Sequence, residues 1–163
     1  MPKVAIVMGS ASDLPVLKSA LERLQWFGIE AVTRVLSAHR TPDAAAQFAR
    51  TAAQEGFECI IAAAGKAAHL PGVLAAYTTL PVIGVPIKSS FMDGMDSLLS
   101  IVQMPAGVPV ATVGVDGAEN AAILAAQMLA LRHPQLTERL SVFKAEMAQK
   151  VAQSDEILQK GVL

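Results

Sequence analysis

The sequence has few of the residues on which disulfide-rich, metal-binding or nucleic-acid-binding proteins depend. Among 163 residues there are one cysteine, one tryptophan and one tyrosine, and only 17% are charged. Cys59 alone cannot form an internal disulfide, which fits a reducing cytoplasm. Thirteen Lys and Arg against fourteen Asp and Glu give a net charge of −1, so no broad basic surface for nucleic acid is expected. No Cys, His and acidic residues stand at metal-ligand spacing.

Apolar residues, in contrast, are abundant: 53% of the chain is hydrophobic and the mean hydropathy is +0.44. Two windows without charge, 67–87 and 97–115, are long enough to cross a bilayer. Proline and glycine interrupt both windows, so neither predicts a membrane-spanning helix. We therefore expect the surplus apolar surface to be buried between subunits. Met1-Pro2-Lys3 leads straight into a strand-like run, so no secretory signal is predicted and a cytoplasmic protein is expected.

Strand-like and helix-like spacings of apolar residues alternate along the chain. The predicted strands are 4–8, 29–36, 57–64, 82–85 and 108–115, and the predicted helices are 13–27, 41–55, 70–77, 96–102, 118–131 and 135–160. This alternation predicts an α/β fold, a three-layer doubly wound parallel sheet of flavodoxin-like type with a C-terminal helix and tail. The length predicts one domain over 1–163, with 135–163 as a C-terminal helical extension.

Local signals predict how some of these elements begin and end. Gly28 and Gly56 are expected to end the first two helices, and the hydroxyl of Thr41 to cap the second. Cys59 lies in an apolar run and is predicted to be a buried structural thiol. His133, near the end of a long helix, is predicted to interact with the helix dipole and to have no catalytic role.

Ligands of an open parallel sheet bind beyond the carboxyl ends of its strands, which directs attention to the loops there. The first strand is followed by a glycine and two serines before Asp13. Ser10 and Ser12 offer hydroxyls and backbone N–H groups to a phosphate, and the Asp13 carboxylate suits the hydroxyl pair of a ribose. The alternative is that Ser12 and Asp13 only cap the following helix.

The second and third strand ends add a histidine, an arginine and small residues. His39 beside Arg40 places a proton donor or acceptor next to a guanidinium that can bind phosphate or carboxylate, unless the two are an ordinary surface pair. The third loop, 64–72, is rich in alanine and glycine, so its backbone can approach a ligand closely, and His69 either starts a helix or reaches that ligand. Together the loops predict a metal-free site for a small phosphorylated, sugar-bearing ligand.

These loops, taken together, resemble the PurE family of purine biosynthesis, and within it the class I branch of bacterial N5-carboxyaminoimidazole ribonucleotide mutases. The resemblance lies in VAIVMGS at 4–10 with Ser12 and Asp13, SAHRTP at 37–42, AAHLPG at 67–72, DSLLSIVQMP at 96–105 and NAA at 120–122. The AHLPG segment is similar to the mutase branch. The animal-type branch, which carboxylates aminoimidazole ribonucleotide with CO2, carries a different loop there.

The resemblance implies an isomerase that moves a carboxylate from N5 to C4 of its imidazole ribonucleotide, in the pathway to IMP, without ATP, metal, biotin or another cofactor. It implies a small-molecule substrate, no nucleic-acid or membrane partner, and a homo-octamer. The catalytic residues that it implies are His39 and His69, with His39 as general acid and base. The substrate-binding positions that it implies are Ser10, Ser12, Asp13, Ser37, Ala38, Arg40, Gly65, Lys66, Ala67, Ala68 and Leu70.

Within that set the family assigns Ser10, Ser12 and Arg40 to the phosphate and Asp13 to the ribose hydroxyls, while Ser37 lies with His39 around the imidazole. The loop at 65–70 closes over the carboxylate. Lys66 departs from the family, which usually has a second glycine there. We expect the loop to tolerate it with the side chain outward, the alternatives being a lost positive φ or a new cation for the carboxylate.

Two other functions fit the same fold. A CO2-using aminoimidazole ribonucleotide carboxylase is the near alternative, and the 67–72 loop argues against it. A non-catalytic flavodoxin-like module that binds a nucleotide or flavin, or acts as a signalling receiver, is the distant one. A receiver needs acidic residues at the first and third strand ends, where this chain has Gly9-Ser10 and Gly65-Lys66, and a flavin site favours more than 4% aromatic residues.

Overall fold

Strands and helices alternate through residues 1–161, the part of the chain that this computed structural model describes. The strands are β1 (Lys3–Met8), β2 (Glu30–Val35), β3 (Cys59–Gly65), β4 (Val82–Ile87) and β5 (Ala111–Thr112). The helices are α1 (Leu14–Phe27), α2 (Pro42–Thr51), α3 (Leu70–Tyr77), α4 (Met95–Val102), α5 (Ala118–Ala130) and α6 (Pro134–Gln159). One 3-10 turn, Ala11–Asp13, leads into α1.

All five strands of the described residues run parallel in one sheet, in the order β2-β1-β3-β4-β5. Met8 at the end of β1 lies opposite Val35 on one side and Ala63 on the other. The carboxyl ends of the first four strands therefore meet at one edge. This order is that of flavodoxin-like folds, which confirms the predicted fold class.

Helices cover both faces of the sheet, and each face has its own apolar core. Side chains alternate along β1, so Val4 and Ile6 pack with α1, α5 and α6, while Ala5 and Val7 pack with α2, α3 and α4. β3 lies between β1 and β4 and is buried on both faces, as its unbroken apolar run predicts. Cys59, its first residue, is fully buried, as predicted, and burial raises the pKa of its thiol to about 12.

The second helix begins where the sequence predicts, after Thr41, but differs from the prediction in its capping bond and in its end. α2 ends at Thr51, not at Glu55, because the chain then turns through Gly56, which has φ +84°. Thr41 does not cap α2 with its side chain. Its hydroxyl instead bonds back to Ser37, accepting from the backbone N–H at 2.9 Å and donating to the carbonyl at 3.1 Å. The hydroxyl thus closes the loop before the helix.

The fifth strand is much shorter than the predicted 108–115. Only Ala111 and Thr112 pair with β4. Pro109 has no N–H to donate, and the turn before it contains Gly107 with φ +95°. Beyond the strand, single bonds from Val113 N–H to Gly84 O and from Asp116 N–H to Pro86 O continue the contact with β4. The predicted strand is therefore a two-residue strand at the edge of the sheet, followed by two single hydrogen bonds to β4.

The C-terminal segment forms one long helix, α6, whose bounds agree with the predicted 135–160; residues 162–163 of the predicted tail lie outside the described part. Phe143 of α6 packs against Trp26 and Phe27 of α1, with ring centroids 5.9 and 6.0 Å away. His133, between α5 and α6, contacts Glu58 through Nε2 and Oε2 at 2.8 Å, a hydrogen-bond partner that helix-end reasoning did not supply.

No helix within residues 1–161 is long and apolar enough to span a bilayer.

Candidate active site

The carboxyl edge of the sheet holds a cavity of about 410 Å³ between the loops that follow β1, β2, β3 and β4. The cavity is lined by Gly9, Ser10, Ser12, Asp13, Ser37, Ala38, His39, Arg40, Ala64, Gly65, Lys66, Ala67, His69, Leu70, Ile87, Lys88, Ser89 and Ser90. Every site residue predicted from the sequence lines it except Ala68, which is buried behind the loop. The residues selected by the carboxyl-edge rule thus lie around one cavity.

The β1 loop presents two hydroxyls and a carboxylate to this cavity. Ser12 donates to the hydroxyl oxygen of Ser10 from its own hydroxyl at 2.8 Å and from its backbone N–H at 3.3 Å. Asp13 precedes α1 but makes no side-chain capping bond, so the capping alternative is wrong for this residue. Burial raises the pKa of the Asp13 carboxyl, while hydrogen bonds from Ser10 and Ser12 oppose that shift. Its carboxylate is left to face the cavity.

The β2 loop is a closed turn that presents His39 and Arg40. The Ser37 hydroxyl accepts the backbone N–H of Arg40 at 3.1 Å, and the Thr41 hydroxyl closes the same turn. These bonds fix the backbone on either side of His39. Because Ser37, Ala38, His39 and Arg40 all line the cavity, the structure favours a binding role for His39 and Arg40 over an unrelated surface pair.

Two histidines from different loops meet in the cavity. Nε2 of His39 lies 2.8 Å from Nδ1 of His69, with the rings edge to face at an interplanar angle of 81°. One ring nitrogen must donate the shared proton and the other must accept it. The sequence separation of thirty residues hides this contact. The pair can therefore hold and pass a proton at the edge of the sheet.

The backbone of the β3 loop has a positive φ at Lys66, although a lysine stands where the family usually has glycine. Lys66 has φ +55°, in the left-handed region that favours glycine, and it is one of the residues that line the cavity. The loop from Gly65 to Leu70 otherwise contributes only small side chains and His69. The alternative of a lost positive φ is therefore wrong, and the expected tolerance of Lys66 stays a prediction.

A fourth wall, which the sequence interpretation missed, comes from the loop after β4. Ile87, Lys88, Ser89 and Ser90 line the cavity because β4 runs on to Ile87, two residues past its predicted end at Val85. The Ser89 hydroxyl donates to the Asp96 carboxylate at 2.8 Å, which ties this wall to α4. A strand prediction extended through Pro86 would have placed these residues at the carboxyl end of β4, where ligands of parallel sheets bind.

The charges around the cavity favour an anionic ligand. Arg40, Lys66 and Lys88 line it with Asp13 as the single carboxylate among its lining residues. Within residues 1–161 there is no group of three or more His, Cys, Asp or Glu side chains placed to hold a metal ion. Phosphate and carboxylate groups are the anions that Arg, Lys and serine hydroxyls bind together.

Comparisons with known proteins agree with this geometry. The model of the AIR carboxylase family matches residues 3–150. The N5-carboxyaminoimidazole ribonucleotide mutase of Pyrococcus abyssi is 58% identical over 147 residues, 90% of this chain and 84% of that protein. The protein of the same name from Mycobacterium tuberculosis is 56% identical over 159 residues, 98% of this chain and 91% of that protein. The crystal structure of Treponema denticola PurE superposes with a TM-score of 0.86 at 28% identity, covering 97% of this chain and 99% of that chain.

Proposed function

Since the chain belongs to the AIR carboxylase family, we propose that it is an N5-carboxyaminoimidazole ribonucleotide mutase, an isomerase of de novo purine biosynthesis on the way to IMP. It converts N5-carboxyaminoimidazole ribonucleotide to 4-carboxy-5-aminoimidazole ribonucleotide. The observation that carries this proposal is the meeting of the β1 serines, Asp13, Arg40 and the His39–His69 pair in one cavity. Relatives more than half identical over most of the chain carry the name of this activity.

The substrate lies along the carboxyl edge with its phosphate on the β1 and β2 side. Ser10 and Ser12 donate hydrogen bonds to the phosphate, and the Arg40 guanidinium neutralises it. The Asp13 carboxylate accepts from the ribose hydroxyls, as acidic residues do in dinucleotide sites. Ser37, Ala38 and the histidine pair then lie beside the imidazole ring. This orientation leaves the transferred carboxylate toward β3 and β4.

The reaction moves one carboxyl group and one proton within the substrate. The bond from N5 to the carboxylate breaks, CO2 is released, and N5 takes a proton from His39. C4 of the electron-rich ring then bonds to the same CO2, and the proton on C4 passes to His39, which restores its starting form. His69, hydrogen-bonded to His39, holds the ring in position and shares its proton. Atoms and protons balance without an added reactant.

Free CO2 must stay beside the ring between the two steps. The walls supplied by Gly65, Ala67 and Leu70 are small or apolar and allow close approach of the backbone. A closed, dry wall prevents loss of CO2 and holds it within reach of C4. The alanine-rich loop suits this confinement.

The test is an assay of purified protein with N5-carboxyaminoimidazole ribonucleotide and detection of the C4-carboxylated product. The H39A variant should lose about 10²- to 10⁴-fold in kcat, the usual worth of a general acid and base. H133A is the matched control, since His133 contacts Glu58 far from the cavity, and it should keep its activity. A normal rate in H39A would contradict the role of His39. Turnover of aminoimidazole ribonucleotide with bicarbonate at comparable efficiency would assign the carboxylase activity instead.

We propose further that the protein assembles as a homo-octamer. In support, α4 carries an exposed apolar stripe of Met95, Leu99 and Val102, and Phe91 just before it is 81% exposed. An exposed stripe at helical spacing is typical of a subunit contact. The number eight comes from the family resemblance. Light scattering at micromolar concentration tests the assembly, and a monomeric mass would contradict it.

We also propose that residues 1–163 form a single domain of the PurE type, with 135–163 as its helical extension, and that the protein acts in the cytoplasm. The free, buried thiol of Cys59 supports a reducing compartment. Microscopy of the tagged protein in its native cells tests the location, and a single cooperative unfolding transition tests the domain.

A further inference from the structure

Two lysines leave neighbouring strands at the same level of the cavity. Gly65 at the end of β3 lies opposite Ile87 at the end of β4, so Lys66 and Lys88 are the next residues of two adjacent parallel chains. Adjacent strands are about 4.8 Å apart, which places the two backbones side by side. Both lysines line the cavity. These two cationic residues, called the lysine pair below, lie on the β3 and β4 side, opposite the β1 and β2 side that holds Arg40.

The backbone of each lysine is held in a defined conformation. Lys66 keeps the left-handed φ of +55° that a residue with a Cβ adopts only at a cost. The backbone N–H of Lys88 donates to Asp116 Oδ1 at 2.9 Å, and the N–H of Asp116 donates to Pro86 O at 2.8 Å. The loop after β5 thus fixes the start of the loop after β4. The two side chains leave from restrained positions.

One acidic residue, Asp93, lies close enough to Lys88 to form an ion pair with it. Asp93 Oδ1 lies 3.4 Å from Lys88 Nζ, with the two side chains 86% and 62% exposed. Ion pairs this exposed contribute little, so an anionic ligand in the cavity can take the ammonium from Asp93. Asp13, the carboxylate that lines the cavity, belongs to the β1 loop at the ribose position. The loops that carry the two lysines therefore contribute no carboxylate to the lining of the cavity.

We propose that Lys66 and Lys88 together bind the carboxylate of the ribonucleotide and set the preference of the site for carboxylated over decarboxylated ligands. The inference rests on the proposed function, which supplies a ligand with an anion at each end. Arg40 and the serines take the phosphate, and the lysine pair takes the second anion at the opposite end of the cavity. Two ammonium groups from the residues that follow adjacent strands can share one carboxylate, one to each oxygen.

The experiment compares the affinities of two ligands that differ only in the carboxylate: 4-carboxy-5-aminoimidazole ribonucleotide and 5-aminoimidazole ribonucleotide. Calorimetry gives both dissociation constants for the wild type, K66M, K88M and the control K18M, which removes one exposed charge on α1. Each of the first two substitutions should reduce the ratio of the two affinities by about fivefold, and K18M should leave it unchanged. K66R and K88R should restore most of the ratio because they keep the charge.

The outcomes separate this inference from the proposed function. Unchanged affinity for the decarboxylated ligand shows that a variant is folded and its phosphate end intact, so a reduced ratio in both variants supports the lysine pair. An unchanged ratio in either variant overturns the pair and leaves the mutase proposal intact. Failure of the wild type to bind both ligands overturns the mutase proposal itself.

Discussion

Three residues other than glycine hold a positive φ angle within the described part of the chain: Lys66, Asp93 and Asp116. All three belong to loops after β3, β4 and β5, around the part of the cavity that we assign to the carboxylate. A residue with a Cβ pays about 1–2 kcal/mol for the left-handed conformation. Such residues persist where their surroundings enforce them, often at functional sites. The cost is therefore concentrated on one side of the pocket.

Replacing Lys66 measures this cost directly. K66A and K66G both remove the side chain, but only glycine adopts φ +55° without strain. After allowance for the greater freedom of glycine in the unfolded chain, K66G should be more stable than K66A by about 0.5–1 kcal/mol. Chemical denaturation of the two variants gives the difference. Equal stabilities would contradict a strained left-handed backbone.

The charge of Asp13 also lowers the stability of the folded protein, at a position that we assign to ligand binding. Burial raises the pKa of its carboxyl above 3.8, so the folded state binds the proton more readily than the unfolded state. Stability therefore falls as the pH rises from 3.8 through the folded-state pKa, and it stays lower above that value. The D13N variant should melt at a higher temperature than the wild type at neutral pH, with the gain vanishing below pH 3.8.

The same variant should bind the ribonucleotide more weakly, because an amide is a poorer acceptor for the ribose hydroxyls than a carboxylate. D155N, on the exposed part of α6, is the matched control and should show neither effect. Thermal melts at several pH values and calorimetry with product are the measurements. A lower melting temperature for D13N at neutral pH would show that the carboxylate is stabilising and would contradict this assignment.

Among the elements, the contact between β4 and α4 depends on a missing side chain. A Cβ at Gly84 would overlap the Cγ2 methyl of Ile101, which is fully buried. Overpacking of this kind costs about 1–3 kcal/mol, so G84A should lose that much stability. G114A has open space around its new methyl and should change stability by less than about 0.5 kcal/mol. Denaturant unfolding checks both, and an unaffected G84A would show that α4 can shift at no cost.

Elements whose ends follow local signals could be predicted from the sequence. Gly28 ends α1 with φ +72°, and Leu70–Tyr77 has the bounds that the sequence predicts. β5 could not be predicted, because a strand needs a partner as well as a pattern. Only two residues of the apolar run at 108–115 find pairing positions on β4. Pairing is a tertiary property that β-branched composition does not encode.

The same distinction between local sequence signals and tertiary contacts applies to the candidate site. The loops after β1, β2 and β3 could be identified because Gly, Ser, His and Arg stand directly after apolar strands. The Lys88 wall was missed because Pro86 indicates a strand end, whereas Pro86 pairs with Ala64 inside β4. The contact of His39 with His69 and the bond of Asp116 to Lys88 join distant segments. A local sequence pattern does not predict contacts between segments that are distant in the chain.

At the scale of the whole molecule, exposed apolar side chains support the proposed assembly. The α4 stripe of Met95, Leu99 and Val102 faces outward while Ile101 faces the core. A charge placed on the stripe should break the assembly, because an ionised side chain is not tolerated in an apolar contact. L99E should therefore run at a smaller mass than the wild type in light scattering.

Q47E, which adds the same charge on the exposed face of α2, is the control and should keep the mass of the wild type. Circular dichroism shows whether each variant is folded. A folded L99E with the mass of the wild type would remove α4 from the proposed contact.

The bridged imidazoles tie the tautomer of one ring to that of the other. A single proton occupies the space between Nε2 of His39 and Nδ1 of His69, so a neutral pair has two forms. When His39 donates, the second proton sits on Nε2 of His69; when His69 donates, it sits on Nδ1 of His39. A proton taken up at one outer nitrogen is thus released at the other, and acid and base exchange places without either ring turning.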